Sequence, residues 1–270
     1  MSGLILRQKH SIAERLNVAG LTPSKLALLS AYDISHLKVG SSKTDLRLGD
    51  VFDVTGSASE TLTIVGTGTA LDFAGAGLDA GTLRIEGPAG AYAGHTMSGG
   101  RLEITGDAGN YLAAGQIGGL IVVEGSAGDN VGGVLSGQRF GMMGGTVVVG
   151  ANIGARAGDK MRRGTIIARG KTGTNAGTRM LGGTIWAEGG FGLDPGFMMR
   201  RGTLIGPSVE RMLPTFADCG RHDLLILRIL ARYFKEALGP MAPKPLGAFA
   251  RRVAGDMATI GKGEILLPAS

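Results

Sequence analysis

Short runs of alternating apolar and polar residues recur through the middle of the chain. The segments GTLRIEG (81–87), GRLEITG (100–106), GLIVVEG (119–125), GTVVVG (145–150), GTIIARG (164–170), GTIWAEG (183–189) and GTLIG (202–206) begin at glycines spaced 19, 19, 26, 19, 19 and 19 residues apart. A period of two within each run is the pattern of a strand with one face in a core. It assigns Leu83, Ile85, Leu102, Ile104, Ile121, Val123, Val147, Val149, Ile166 and Ala168 to the inside. A short repeat sustained over many copies marks a solenoid. Nineteen residues hold three short strands with tight corners, but not a strand, a useful helix and two connections. The predicted fold is therefore all-β, a right-handed parallel β-helix with 19-residue rungs stacked at ~4.8 Å. Linkers such as GPAGAYAGHTMSG and GANIGARAGDKMRRG supply glycines for the corners and an apolar residue just before the next strand.

The period is missing at both ends. Residues 1–48 read as a small N-terminal cap or partner-contact segment, with a helix start at Thr22-Pro23-Ser24. DVFDVTG (50–56) and ETLTIVG (60–66) read as the first rungs of a β-helix over 49–208. In 209–270, RHDLLILRILARYFKEALG (221–239) predicts a helix of about 16 residues, ended by Gly239-Pro240. Its Leu224, Leu227, Ile229, Leu230, Tyr233, Phe234 and Leu238 are expected to share one broad face, and a last short segment, GKGEILLP, closes the chain. This helix and tail are expected to pack on the solenoid or on a partner.

In a stacked repeat, each offset forms a column of neighbours. The third offset runs Arg84, Glu103, Val122, Val148, Ile167, Trp186, Ile205, so five apolar residues follow one another on an outward face. Such a stripe needs a cover, which the C-terminal helix or a docked partner would provide for Val122, Val148, Ile167, Trp186 and Ile205. The net charge of +6 is also concentrated, since residues 156–201 carry nine basic and three acidic side chains. Lys160 and Arg179 share an offset, and Arg162-Arg163 recurs as Arg200-Arg201 two repeats later. Stacked like charges repel, so this block is the candidate site for a polyanion or for the carboxylates of a partner.

Other chemistry is poorly supported. Glycine fills 49 of 270 positions, against a usual ~7%, and no apolar run is long enough to span a membrane. The opening MSGLILRQKHSIAERLN lacks a secretory pattern, so a cytoplasmic chain with no membrane partner is expected. One cysteine excludes an internal disulfide, and four scattered histidines give no metal-ligand spacing. GKT at 170–172 has five residues, not four, after Gly164, so it misses the phosphate-loop spacing. GTGTALDFAGAG lacks the strand and helix of a dinucleotide site. Glu86, Glu124 and Glu188 share a column but lack the companions of a glycosidase pair. Cys219 near His222 could pair as nucleophile and base, but a buried junction thiol is the expectation. Recognisable nucleic-acid modules are missing, so no nucleic-acid partner is expected. No catalytic residue and no metal ligand is assigned.

The stretch GDAGNYLAAGQIGGLIVVEGSAGDNVGGVLSGQRFGMMGGTVVVGANIGARAGDKMRRGTIIARG, with its insertion SGQRFGMMGG followed by MRRGTI, resembles the C-subunit family of formylmethanofuran dehydrogenase and of its bacterial relative, the formyltransferase/hydrolase complex. The likeness spans about 50–206, and GDMATIGKGEIL (255–266) is similar to the family's C-terminal segment. A more distant likeness is to the glycine-repeat domain at the C-terminus of glutamate synthase. The resemblance implies a non-catalytic structural subunit in tetrahydromethanopterin- and methanofuran-linked one-carbon metabolism, where formyl groups end as formate. It implies three kinds of partner: an amidohydrolase-like hydrolase, a formyltransferase and a molybdopterin-subunit-like protein. It implies no cofactor on this chain alone and a methanofuran-type carrier in the complex. That carrier's oligoglutamate tail gives Lys160, Arg162, Arg163, Arg179, Arg200 and Arg201 an acidic ligand. The corresponding component of a molybdenum or tungsten formylmethanofuran dehydrogenase, or a stand-alone glutamate-synthase-like module, are the alternatives.

Overall fold

The computed structural model describes residues 3–10, 15–39, 45–57, 59–66 and 71–269. Positions 67–70 of the glycine-rich run GTGTALDFAGAG, and parts of the expected cap, lie outside the described residues. The N-terminal part holds β1 (Leu4–Gln8), β2 (Leu16–Asn17), α1 (Pro23–Leu26), α2 (Ala31–Ser35) and α3 (Leu48–Val51). β3 (Phe52–Thr55), β4 (Thr61–Val65) and β5 (Leu71–Asp72) lead into the periodic region. There the strands are β6 (Thr82–Glu86), β7 (Arg101–Ile104), β8 (Leu120–Val123), β9 (Thr146–Val149), β10 (Thr165–Ala168) and β11 (Thr184–Ala187). β12 (Phe191–Leu193), β13 (Arg201–Ile205), β14 (Val209–Arg211) and β15 (Ala217–Asp223) follow. The chain ends with α4 (Leu225–Leu238), β16 (Phe249–Gly255) and β17 (Lys262–Pro268).

The fold is mostly β, with short helices apart from α4. One mixed sheet runs in the order β15-β16-β17-β13-β11-β10-β9-β8-β7-β6-β4-β1-β3. Its middle is parallel and in register at the repeat spacing, as in Thr165 against Thr184 and Ile166 against Ile185. The alternation explains the sheet's inner face: Leu83, Ile85, Leu102, Ile121, Val147, Ile166 and Ile185 are all fully buried. Successive repeats also meet at a second parallel line, Ala89 to Ala108 to Ala127 to Ile153 to Thr172 to Phe191. Met97, Met142, Met161, Met180 and Met199, each just before a strand, form a buried column, where a flexible thioether fills the space under a corner.

Corner chemistry repeats too. Asn110 Oδ1 accepts from Asp129 N at 2.9 Å, Asp129 Oδ1 from Ala155 N at 2.7 Å, and Asn152 Oδ1 from Lys171 N at 2.9 Å. Each short side chain satisfies a backbone donor of the following repeat that the turn leaves unpaired. Gly100, which opens β7, has φ +66 and a virtual Cβ only 2.6 Å from Gly81 O. Any side chain there would meet both the left-handed backbone and the preceding repeat.

Two expectations at the ends need correction. DVFDVTG does not continue the parallel stack; β3 runs antiparallel to β1, and β1 lies between β3 and β4. LILRQ is a single alternating run outside the period, and its buried Leu4 and Leu6 align with Leu62 and Ile64. The helix of about 16 residues expected within 221–239 is 14 residues long, Leu225–Leu238, because Arg221, His222 and Asp223 pair with β16 as the end of β15.

Candidate partner-binding surfaces

The basic block forms around a corner that recurs along the repeats, as at Thr96 earlier in the chain. Lys160, Arg179 and Met198 occupy it with φ of 53, 52 and 55, and Lys160 N bonds Thr178 O while Arg179 N bonds Phe197 O. Beside it lies Asp159, a buried carboxylate. Arg179 donates to both its oxygens, Nε at 2.9 Å and Nη2 at 2.5 Å, and Arg156 Nη2 donates at 2.8 Å. The bonds it donates to Asp159 lift the Arg179 guanidinium above its ordinary value, against a smaller effect of burial. Part of the like-charge stacking is thus answered inside the chain.

The seven extra residues of the 26-residue repeat build a loop closed where Met142 N donates to Gly132 O at 2.8 Å. The loop brings Arg139 and Phe140 to the same corner. Arg139 and Arg162 each stand 5.0 Å from the Phe140 ring centroid, within cation–π range. An open groove of about 530 Å³ runs from this loop past Lys160, Arg179, Leu181 and Arg200 to Ile260. A neighbouring depression of about 370 Å³ is lined by Arg156, Asp159, Lys160 and Arg179. Lys160, Arg179 and Arg200 therefore share one groove, and Arg162 reaches it through Phe140. Arg201 lines an adjoining depression with Arg200, whereas the exposed Arg163 lines neither groove nor depression. Arg201 also stands opposite Lys262 of β17, which extends the basic column. Arg139, Phe140, Asp159 and Lys262 escaped sequence reasoning. The Arg-Phe pair inside the insertion was the available signal.

The apolar column follows the register Val122, Val148, Ile167, Trp186, Ile205 and continues to Leu266. Leu227, Phe234 and Leu238 of α4 cover Val148, Ile167, Trp186 and Ile205, forming a second core cluster. Val122 is only half-buried. The connector after α4 is clamped at Glu188, which accepts from Arg169 Nη1 at 2.9 Å and from Lys244 N at 2.7 Å. Arg169 Nη2 also reaches Pro240 O at 2.9 Å. Contrary to the single broad face expected of α4, Ile229 and Tyr233 point to solvent, 53% and 55% exposed, beside Leu225 and Ile226.

The remaining candidates have structural surroundings. Cys219, expected to be buried, is exposed on β15, because neither face of that edge strand is covered. His222 bonds the Cys219 carbonyl at 2.9 Å rather than the thiol. Lys171 is an exposed corner residue, and His95 Nδ1 lies 2.9 Å from Ala114 O at another corner. Among the described residues no group of three or more His, Cys, Asp or Glu side chains is placed to hold a metal ion, and no helix is long and apolar enough to cross a membrane.

No family model matches the chain. A stretch of 58 residues is 45% identical to the Fhc C subunit of the formyltransferase/hydrolase complex of Methylorubrum extorquens, and spans 22% of this chain and 22% of that relative. Across the whole fold, the chain is similar to a chain in the X-ray crystal structure of the formyltransferase/hydrolase complex (FhcABCD) from the same organism in complex with methylofuran. That likeness has a TM-score of 0.91 and 39% identity, and covers 98% of this chain and 100% of the other.

Proposed function

The chain belongs to the C-subunit family of formyltransferase/hydrolase complexes, and on that premise we propose that it is the non-catalytic structural subunit of such a complex. The complex moves formyl groups between tetrahydromethanopterin and a methanofuran-type carrier and releases formate, in the cytoplasm. Its partners are the other subunits: a formyltransferase, an amidohydrolase-like hydrolase and a molybdopterin-subunit-like protein. The carrier belongs to the assembly, and this chain alone binds no cofactor. Both relatives are described as formyltransferase/hydrolase complex proteins, so the reading follows that branch rather than the molybdenum or tungsten dehydrogenase.

In this reading the repeats from β4 to β13 coil as a right-handed parallel β-helix, bordered at one end by β1 and β3 and flanked by the helix and tail of 209–270. A stack of in-register repeats is stiff along its axis, and its columns present the same chemistry at ~4.8 Å intervals. Such a rod can hold other subunits at fixed separations. The basic block around Lys160, Arg162, Arg163, Arg179, Arg200 and Arg201 holds acidic groups, either the carrier's tail or a partner's carboxylates. The apolar column serves the chain's own helix, with Val122 left at its margin for a partner.

The observation that carries the proposal is likeness in both sequence and fold over the full length of a chain from that complex. The experiment is co-expression of the tagged chain with the three other subunits, followed by size-exclusion chromatography and mass spectrometry. One stable assembly containing all four is expected. Elution of this chain by itself, beside an assembled and active remainder, would overturn the proposal.

A further inference from the structure

We infer that the groove between the Arg139-Phe140 loop and the Thr259-Ile260 turn seats an acidic polypeptide segment of a partner protein in the complex, anchored by an apolar side chain. The inference rests on the structural-subunit reading and assigns this face one kind of occupant. Two properties of the groove have to be satisfied together. Its lining includes Phe140, Leu181, Met198 and Ile260, of which Met198 and Ile260 are each 45% exposed. Its rim is cationic, with Arg139, Lys160, Arg179 and Arg200.

The positive charge is largely uncompensated. Asp159 is engaged by Arg179 and Arg156, whereas Arg139, Lys160, Arg162 and Arg200 form no ion pair among the described residues. Arg139 and Arg162 are steadied against Phe140, so less side-chain freedom remains to be lost when a carboxylate arrives. A lone small anion would satisfy the rim and leave the apolar floor wet. A purely apolar segment would cover the floor and leave several cations desolvated without partners, which is costly. An acidic segment with one apolar residue between its carboxylates satisfies both. Charge complementarity steers the encounter, and the buried anchor supplies the residence time.

The test uses the full chain and a fluorescein-labelled glutamate-rich peptide with one central leucine, read by fluorescence anisotropy at low salt. Replacing that leucine with serine is expected to weaken binding about tenfold, and so is the double substitution Arg139→Glu with Arg200→Glu. The assembled complex, whose groove is filled, is expected not to bind the peptide. Equal affinity for the leucine and serine peptides would overturn the inference, since the floor would then go unread. Equal binding by the assembled complex and the free chain would overturn it as well, because the groove would be empty in the assembly. The leucine and serine arms need no altered protein, so misfolding cannot mimic either result. If wild-type chain never enters a complex, the structural-subunit reading fails. If it enters but the peptide results go the wrong way, only the groove inference fails.

Discussion

Phe234 of α4 meets the Trp186 indole edge-on, with ring centroids 5.9 Å apart and planes at 82°. Both side chains are almost fully buried, and Trp186 is the chain's single tryptophan. The contact joins the C-terminal helix to the apolar column of the repeats and also reports on it. Phe234→Ala is expected to cost about 3–5 kcal/mol and to shift tryptophan emission to the red as water reaches the indole. Urea denaturation followed by fluorescence measures both. A loss below about 1 kcal/mol with unchanged emission would mean that α4 is not seated on the column.

Asp159 is the internal counter-ion of the basic corner, and its bonds to Arg179 and Arg156 differ from the surface pair Arg232 and Glu236 in burial. Asp159→Asn is expected to destabilise the chain by about 1–3 kcal/mol, and Glu236→Gln by less than about 0.5 kcal/mol. Chemical denaturation of the two variants side by side gives the comparison. Equal losses would show that the buried carboxylate does no more than an exposed one.

Glu103 gives the fold an acid sensitivity. Burial works against its ionisation, but bonds from Arg101 at 2.5 Å and Arg84 at 3.0 Å outweigh it and hold the carboxyl below its ordinary 4.5. Because the folded value is depressed, the stabilisation is present above the unfolded pKa and lost as pH falls through the folded one. Glu103→Gln should therefore be less stable than wild type near neutral pH, and the difference should shrink on acidification below about pH 4. Melting curves for both proteins across that range are the check. A gap that stays constant with pH would contradict the assignment.

The middle of the fold was legible because one constraint repeats: an alternating strand, a glycine at the corner and a residue such as Met161 or Met180 beneath it. Every copy reinforces the others. β1 was not legible, since it occurs once, and DVFDVTG read as a strand but not as one antiparallel to β1, because that pairing depends on a partner far away in sequence. The start of α4 was hidden for a related reason, as Arg221 and His222 suit a helix locally but are taken up by β16. In the candidate site, the column Lys160 and Arg179 could be read from the period. Phe140 and Asp159 could not, because one lies in an insertion that breaks the spacing and the other acts through its burial.

Cys219 shows how far such placement matters for reactivity. On the exposed edge strand β15, its thiol is expected to react with a disulfide exchange reagent in the native protein at a rate within about tenfold of the unfolded chain. Protection by several orders of magnitude until unfolding would place the thiol in a core.

Turnover tests the central claim most directly. Formyl transfer and formate release are measured for the purified chain, for the other three subunits together and for all four. The account predicts no reaction from the lone chain, and full turnover only when its addition completes the assembly. Catalysis by the lone chain, or undiminished turnover by the other three without it, would contradict a passive structural subunit.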